Sequence, residues 1–282
     1  MPTIRSWVQF PSPAPNQQVI INLFEFSLFF DGRQLADNFF GDNIGLNIMT
    51  SKLSIYYWLR KIFVSRFIQN LVSRNFIRKF TFFLIYKSNH WNKYKKINED
   101  NFLVSGPGSI PGNNQTNNVI NNLDIFIKKN NIKSILDMPC GDFSWMQDLV
   151  KKNIDINYTG YDIVKDIIER NNKKYSSNKI NFFCRDIVNE KTFDNFDLIF
   201  IRDFFIHIDN ESINRILINI KNSKVKFLAC SNNNNESFNN DVIAIGAHRK
   251  INLTIKPFYL TEIFHTFSEE IDDRFINIYK IS

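Results

Sequence analysis

The stretch Ser134-Ile-Leu-Asp-Met-Pro-Cys-Gly-Asp-Phe-Ser-Trp-Met146 constrains this chain more than any other. Ile135 and Leu136 form a short apolar run between Lys133 and Asp137, the pattern of a buried parallel strand. A tight turn follows, Pro139-Cys140-Gly141-Asp142. Beyond it Phe143, Trp145, Met146, Leu149 and Val150 recur at helical spacing. Strand, glycine-containing turn and helix, in that order, make the front edge of a nucleotide-binding α/β unit. Gly141 lets a ligand approach the backbone, and the helix N-terminus leaves N–H groups facing the cleft. The acid at the strand end can take hydroxyls or a cationic amine.

At 282 residues the chain holds one large domain, or one domain with an extension. A hydrophobic fraction of 44% is ample for a core, and the heavy use of Ile, Asn, Lys and Phe reads as an AT-rich coding sequence. Cys140, Cys184 and Cys230 lie far apart without zinc-type spacing, and their odd number argues against a disulfide framework. Free thiols in a reducing compartment are expected. His90, His207, His248 and His265 are equally scattered, and no metal site is expected. The net charge of +7 is uneven. Residues 1–48 carry two basic and four acidic groups, residues 49–97 eleven basic and none acidic, and residues 98–282 22 basic and 24 acidic. The basic character belongs to one segment.

Residues 1–48 do not read as a domain. Pro11, Pro13 and Pro15 break any early element. Ile20–Phe30 is apolar but too short to span a bilayer, and it lacks the start and cleavage site of a signal peptide. Val8-Gln-Phe-Pro-Ser-Pro-Ala-Pro15 is similar to a chance translation of the 3′ end of a transfer-RNA gene. On that hypothesis the natural chain begins near Met49; the alternative is a disordered tail, and N-terminal sequencing of the native protein separates the two.

Residues 49–99 form a basic, aromatic-rich segment. Leu53, Tyr56, Leu59, Phe63, Phe67 and Leu71 recur at three- and four-residue steps, which predicts an amphipathic helix within 53–86. Arg60, Lys61, Arg66, Arg74, Arg78 and Lys79 decorate it. Three readings stay open, in this order: a helix packed on the domain with a solvated basic face, a peripheral contact with anionic membrane through residues 53–86, and a nucleic-acid contact. Nothing base-reading is visible, so no specific nucleic acid is expected. No run of eighteen apolar residues occurs, so no transmembrane span is expected either.

From residue 100 the pattern alternates strands and helices. Ser105-Gly-Pro-Gly-Ser-Ile110 is a structured turn, serving as a linker or as a lid with Ser105 and Ser109 as polar contacts. Asn117–Lys129 predicts a helix, and Ile156–Asp162 a second strand ending in an acid 25 residues after Asp137. Ile180–Asp186, Phe196–Asp203 and Lys224–Cys230 predict three more strands, Asp209 or Asn210 a helix cap, Ser231–Asn240 an Asn-rich loop, and Arg274–Ile281 a last antiparallel strand. A carboxylate placed as Asp162 is matches a ribose diol, two acceptor oxygens for two hydroxyl donors; a plain helix cap is the competing role.

The stretch from Asp137 resembles the first motif of class I S-adenosylmethionine-dependent methyltransferases, acid-x-Gly-x-Gly-x-Gly. Asp137 keeps the acid and Gly141 the middle glycine, while Pro139 and Phe143 replace the outer two. An NAD-type site, which needs those glycines for the pyrophosphate, is disfavoured. A bacterial group of these methyltransferases carries Ser-Gly-Pro-Gly-Ser upstream of Asp-x-Pro-Cys-Gly-Asp-Phe-x-Trp-Met, and both are present here, about 28 residues apart. Arg202-Asp203-x-x-x-His207 and Gly246-x-x-Arg249-x-x-Asn252-Leu253…Pro257-Phe258 resemble further elements of that group. The resemblance covers residues 100–282 and implies a Rossmann-like α/β domain: a mostly parallel sheet with helices on both faces and a C-terminal antiparallel strand, preceded by the basic helical extension.

Carried over residue by residue, the resemblance implies that S-adenosylmethionine lies against Ser105, Ser109, Asp137, Pro139, Cys140, Gly141, Asp142, Trp145, Asp162, Ile163, Asp186 and Arg202. Asp162 would hold the ribose and Asp186 the adenine amino group. Asp203, His207 and Arg249 would face the acceptor, Asp203 or His207 as general base. The competing roles are a histidine bonded to a neighbouring carbonyl, and an arginine that ties an insertion down. The expected activity is methyl transfer to an oxygen or nitrogen of a small molecule or glycan, in the cytoplasm or at the inner face of the membrane. Two alternatives stay open: another nucleotide-binding α/β enzyme, such as one using sugar nucleotides, and a membrane-surface binding module with a degenerate cleft.

Overall fold

The computed structural model describes residues 74–88, 90–92, 105–241 and 245–281. Residues 1–48 and the 53–73 part of the expected helix lie outside them. The elements run α1 (Arg74–Lys87), α2 (Asn114–Lys129), β1 (Ser134–Asp137), α3 (Met146–Lys152), β2 (Asn157–Asp162), α4 (Lys165–Tyr175), β3 (Ile180–Cys184), β4 (Leu198–Ile201), α5 (Asn210–Lys221), β5 (Phe227–Asn233), β6 (Ile263–Ser268) and β7 (Arg274–Lys280). One seven-stranded sheet has the order β3-β2-β1-β4-β5-β7-β6. The first five strands pair in parallel, and β7 and β6 add antiparallel.

Alternation along the strands builds two cores. Leu136, Ile199, Ile201 and Leu228 face one side with Ile77, Phe82 and Ile85 of α1 and Ile213 and Ile216 of α5. Ile135, Leu198, Phe200 and Ala229 face the other with Val119 and Leu123 of α2 and Leu149 of α3. Continuous apolar runs such as Leu198–Ile201, buried at all four positions, follow from a parallel sheet covered on both faces. The carboxyl ends of β1, β2 and β4 share one edge, where the cleft opens.

The structure departs from the sequence reading in four places. Helix α3 starts only at Met146, because Phe143 takes a φ of 58° in the turn. Phe143 and Trp145 are therefore core residues of the turn and not part of a helical stripe. Strand β5 continues through Ser231, Asn232 and Asn233, which pair with β7, where a loop was expected. The amides make this possible: Asn232 Oδ1 accepts from the Leu253 N–H at 2.6 Å and Asn233 Oδ1 from the Ile251 N–H at 3.1 Å. Strand β6 was not expected at all, since four of its six residues are exposed on the sheet edge and carry no alternation.

The fourth departure is α1. Arg78, expected on a solvated basic face, is 3% exposed. Its Nη2 donates to Asp186 Oδ2 at 2.8 Å and its Nε to both carboxylate oxygens at 3.3 Å. The apolar face of α1 is packed into the core, as the first of the three readings holds; Arg74 and Lys79 are exposed. Among the described residues no helix is long and apolar enough to cross a membrane. Removing one partner of a buried ion pair leaves the other charge uncompensated. Arg78→Ala is therefore expected to lower stability by roughly 2–4 kcal/mol, the low end of such losses because Asp186 keeps two other donors. Urea denaturation checks this, and a loss below about 1 kcal/mol would show that α1 is not docked by this pair.

Candidate active site

The turn after β1 is held from two sides. Cys140 N–H donates to the Tyr161 carbonyl of β2 at 2.8 Å, and Gly141 N–H donates to Asp162 Oδ2 at 3.1 Å. Gly141 has a φ of 52°, and a Cβ there would collide with Ser105 Oγ, so the position needs glycine. Ser105 and Asp142 clasp each other: the Ser105 N–H donates to Asp142 Oδ2 at 3.1 Å, and the Asp142 N–H donates to Ser105 Oγ at 3.2 Å. The Ser-Gly-Pro-Gly-Ser stretch is thereby strapped across the β1 turn. Its Gly108 lies so close over β4 that a Cβ would sit 3.1 Å from Asp203 Oδ2 and 3.5 Å from Arg202 Nη2.

A cavity of about 480 Å³ opens at this edge. Ser105, Ser109, Asp137, Pro139, Cys140, Gly141, Trp145, Asp162, Ile163, Arg202, Asp203 and His207, all named from the sequence, line it together. Three named residues do not. Asp142 serves the cleft through its clasp on Ser105. Asp186 lines a small neighbouring hollow with Arg78, Asp162 and Ile163, and its oxygens are taken by Arg78, Asn189 Nδ2 and the Val188 N–H. Arg249 is turned away: it donates to the backbone carbonyls of Ile208, at 2.7 Å, and Asn240. It ties the 245–258 insertion down, and burial pushes its guanidinium below the ordinary value. Asn252 is engaged the same way, donating to the carbonyls of Asn234 and Glu236.

The two strand-end acids are buried. Asp137 accepts from Tyr158 Oη at 2.6 Å, yet burial pushes its pKa up to about 7. Asp162 accepts from the Val164 N–H at 2.9 Å besides Gly141, and burial raises it to about 6 against those hydrogen bonds. Both thus stand ready for a cation or for hydroxyl donors that would favour the ionised form. Burial keeps Cys140 a thiol.

Beyond the acids, Arg202 is held by Glu269, whose Oε2 takes Nη2 at 2.7 Å and Nε at 3.0 Å. Its guanidinium lies over the Trp145 ring at 5.2 Å. Burial works against its charge, but Asp203 and Glu269 outweigh that and hold it above its ordinary value. Asp203, at a φ of 54°, accepts from Arg274 Nη1 at 2.8 Å. His207 Nδ1 bonds the Ala247 carbonyl at 2.9 Å, which fixes the proton on Nδ1 and leaves Nε2 unprotonated. Burial lowers its pKa to about 4. A wall of rings runs along this end: Tyr86 edge-on to Trp91 at 5.2 Å, Trp91 stacked on His207 at 5.4 Å, and His207 against His248 at 6.1 Å.

Tyr86, Trp91, His248, Arg274 and Glu269 were not named as site residues from the sequence. Glu269 sits in an ordinary Ser-Glu-Glu turn, and Tyr86 and Trp91 lie in a segment whose aromatics read as helix packing. The Gly246-x-x-Arg249 element offered the one usable signal, for His248. Among the described residues no cluster of His, Cys, Asp and Glu could hold a metal ion.

Residues 135–223, from β1 through α5, match the family model described as "Methyltransferase domain". No curated protein matches the sequence. Similar solved structures include residues 961–1257 of StiE, an O-methyltransferase region, at 19% identity, 41% of this chain, 43% of that chain and a TM-score of 0.35. The methyltransferase domain of bacterial CtHen1 is similar at 16% identity, 60% of this chain, 98% of that chain and a TM-score of 0.45. N-methyltransferase NodS from Bradyrhizobium japonicum WM9 gives 13% identity, 60%, 98% and 0.43. The matched segment holds the strand-end acids and the β1 turn.

Proposed function

We propose that this chain moves a methyl group from S-adenosylmethionine to an oxygen or nitrogen nucleophile of a small-molecule acceptor. One observation carries the reading: two buried carboxylates, Asp137 and Asp162, close β1 and β2 on either side of a glycine turn inside the methyltransferase-domain match. Those residues fit the cofactor. Each Asp162 oxygen accepts one backbone N–H and keeps a lone pair for a ribose hydroxyl. Gly141 leaves the turn open to close approach, and Asp137 suits a cationic amine. Ser105 and Ser109 bring the strap across the bound molecule.

When bound, the cofactor supplies a methyl group on an electrophilic sulfonium. The protein's own task is to position the acceptor and exclude water, which can supply roughly 7–11 kcal/mol of the barrier. Arg202 and Trp145 form the floor between the two ends of the cleft. Asp203 orients the nucleophile, and His207 Nε2, neutral and unprotonated, accepts its hydrogen bond. The working unit runs from α1 to β7.

Calorimetric titration of the full chain with S-adenosylhomocysteine is expected to show binding that weakens by about tenfold or more in Asp162→Asn, which keeps the shape but loses the charge. No binding by folded wild type would sink the proposal. A second expectation concerns pH. Asp162 and Asp137 ionise near 6 and 7, and their charged forms would hold the ribose and the amine, so the affinity for S-adenosylhomocysteine rises as pH rises from about 5 to 8. A rise of about threefold or more in that affinity is expected, and a flat profile would show that neither acid holds the cofactor.

A further inference from the structure

The far end of the cleft has a chemistry that narrows the acceptor. Its wall is the run of rings Tyr86, Trp91, His207 and His248, and Tyr86 and Trp91 come from a part of the chain well before the matched domain. Gly106 backs onto Trp91, so that a Cβ there would sit 3.6 Å from the Trp91 Cβ. Tyr86 is tied to Ser105 by a side-chain hydrogen bond, which links the ring wall to the strap over the β1 turn.

The charges at this end cancel. Arg202 is matched by Glu269 and Arg274 by Asp203. Burial lowers the pKa of both imidazoles, so they stay neutral near pH 7. A cationic acceptor would meet Arg274, and its one nearby acid is already paired. An anionic acceptor would meet Asp203 and the strand-end acids. A neutral molecule avoids both penalties. The polar tips are numerous and of both kinds: His207 Nε2 accepts, the Asp203 carboxylate accepts, and Arg274 and the Trp91 indole donate. A flat aromatic acceptor with one or two hydroxyls would leave His207 Nε2 or the Trp91 indole buried without a partner, at about 1–3 kcal/mol each. A ring that carries hydroxyls around its edge and C–H bonds on its faces would satisfy the tips and cover the aromatic wall together.

We propose that this end of the cleft is a subsite for a neutral, polyhydroxylated saturated ring of the sugar class, packed on the Trp91–His207–His248 wall with hydroxyls on Asp203 and Arg274. The proposal rests on the methyltransferase reading and names the acceptor of the same site. Trp91 then sets which acceptor is taken, from a position upstream of the matched domain.

Saturation-transfer NMR on the full chain, saturated with S-adenosylhomocysteine, tests this with three probe sets: methyl hexopyranosides with methyl 6-deoxyhexopyranosides, catechol, and a primary alkylamine. A signal from ring C–H protons of at least one glycoside is expected, weakened by about tenfold or more in Trp91→Ala and kept within about threefold in Trp91→Phe. His248→Ala, a change at an exposed position, provides a second variant should Trp91→Ala misfold, and it too is expected to weaken the glycoside. Response to catechol or the amine in place of every glycoside overturns the proposal, as does silence from all three sets or a glycoside signal unchanged in both variants. Calorimetry with S-adenosylhomocysteine on the same samples separates the two levels: its failure with folded wild type removes the methyltransferase reading, whereas its success with silent glycosides removes only the sugar subsite.

Discussion

A single fully buried carboxylate ties one end of the cleft together. Glu269 has no exposed surface, and four donors meet it: Arg202 Nε and Nη2, Gln115 Nε2 at 2.8 Å and Ser231 Oγ at 3.0 Å. These come from the end of β4, the first turn of α2 and β5, while Glu269 itself follows β6. A carboxylate taken out of water is costly unless it is paired and hydrogen-bonded, and here both conditions hold. The result is a fixed Arg202 under Trp145, and from Arg202 the neighbouring Asp203 takes its place. The antiparallel addition of β6 and β7 thus contributes to the cleft as well as to the sheet: β6 delivers Glu269 just past its end, and β7 delivers Arg274 at its start.

The second anchoring pair lies at the opposite end. Arg78 and Asp186 join α1 to the residues after β3, and α1 in turn carries Tyr86 to the strap and the ring wall. The segment that matches the family model holds one partner of each pair, Asp186, Arg202 and Asp203, but not Arg78, Glu269 or Arg274. The matched segment supplies the strand-end acids and the β1 turn, and flanking sequence on both sides completes the lining of the cleft.

That division explains what the sequence made legible. Local chemistry was readable wherever a few neighbouring residues determine it. Ile135 to Gly141 announce strand and turn, Asp162 announces a strand-end acid, and Asp209 caps α5 by accepting from the Ser212 N–H as its position suggested. Long-range pairing was not readable. Arg78 and Lys79 look alike in sequence, and only the fold turns one inward to Asp186 and leaves the other in water. Arg249 was given an acceptor role because its Gly246-x-x-Arg249-x-x-Asn252-Leu253 element resembles one in the methyltransferase group, yet its partners are two carbonyls that no local pattern reveals. The Asn-rich stretch was misjudged for a related reason: asparagine favours loops when its amide must bond its own backbone, but Asn232 and Asn233 find partners in a distant segment and remain in the strand.

His207 illustrates how far that non-local logic reaches. The Gly246 N–H donates to the His207 carbonyl at 2.8 Å, the Arg249 N–H to the Ile206 carbonyl at 3.2 Å, and the Arg249 side chain to the Ile208 carbonyl. Together with the Ala247 bond to Nδ1, these make the turn after β4 and the 245–258 insertion one jointed piece, though about 40 residues separate them in the chain. Anyone transplanting this end of the cleft into another scaffold would have to move both segments as a cassette. A graft of the β4 turn alone would carry the imidazole without the carbonyl that sets its tautomer.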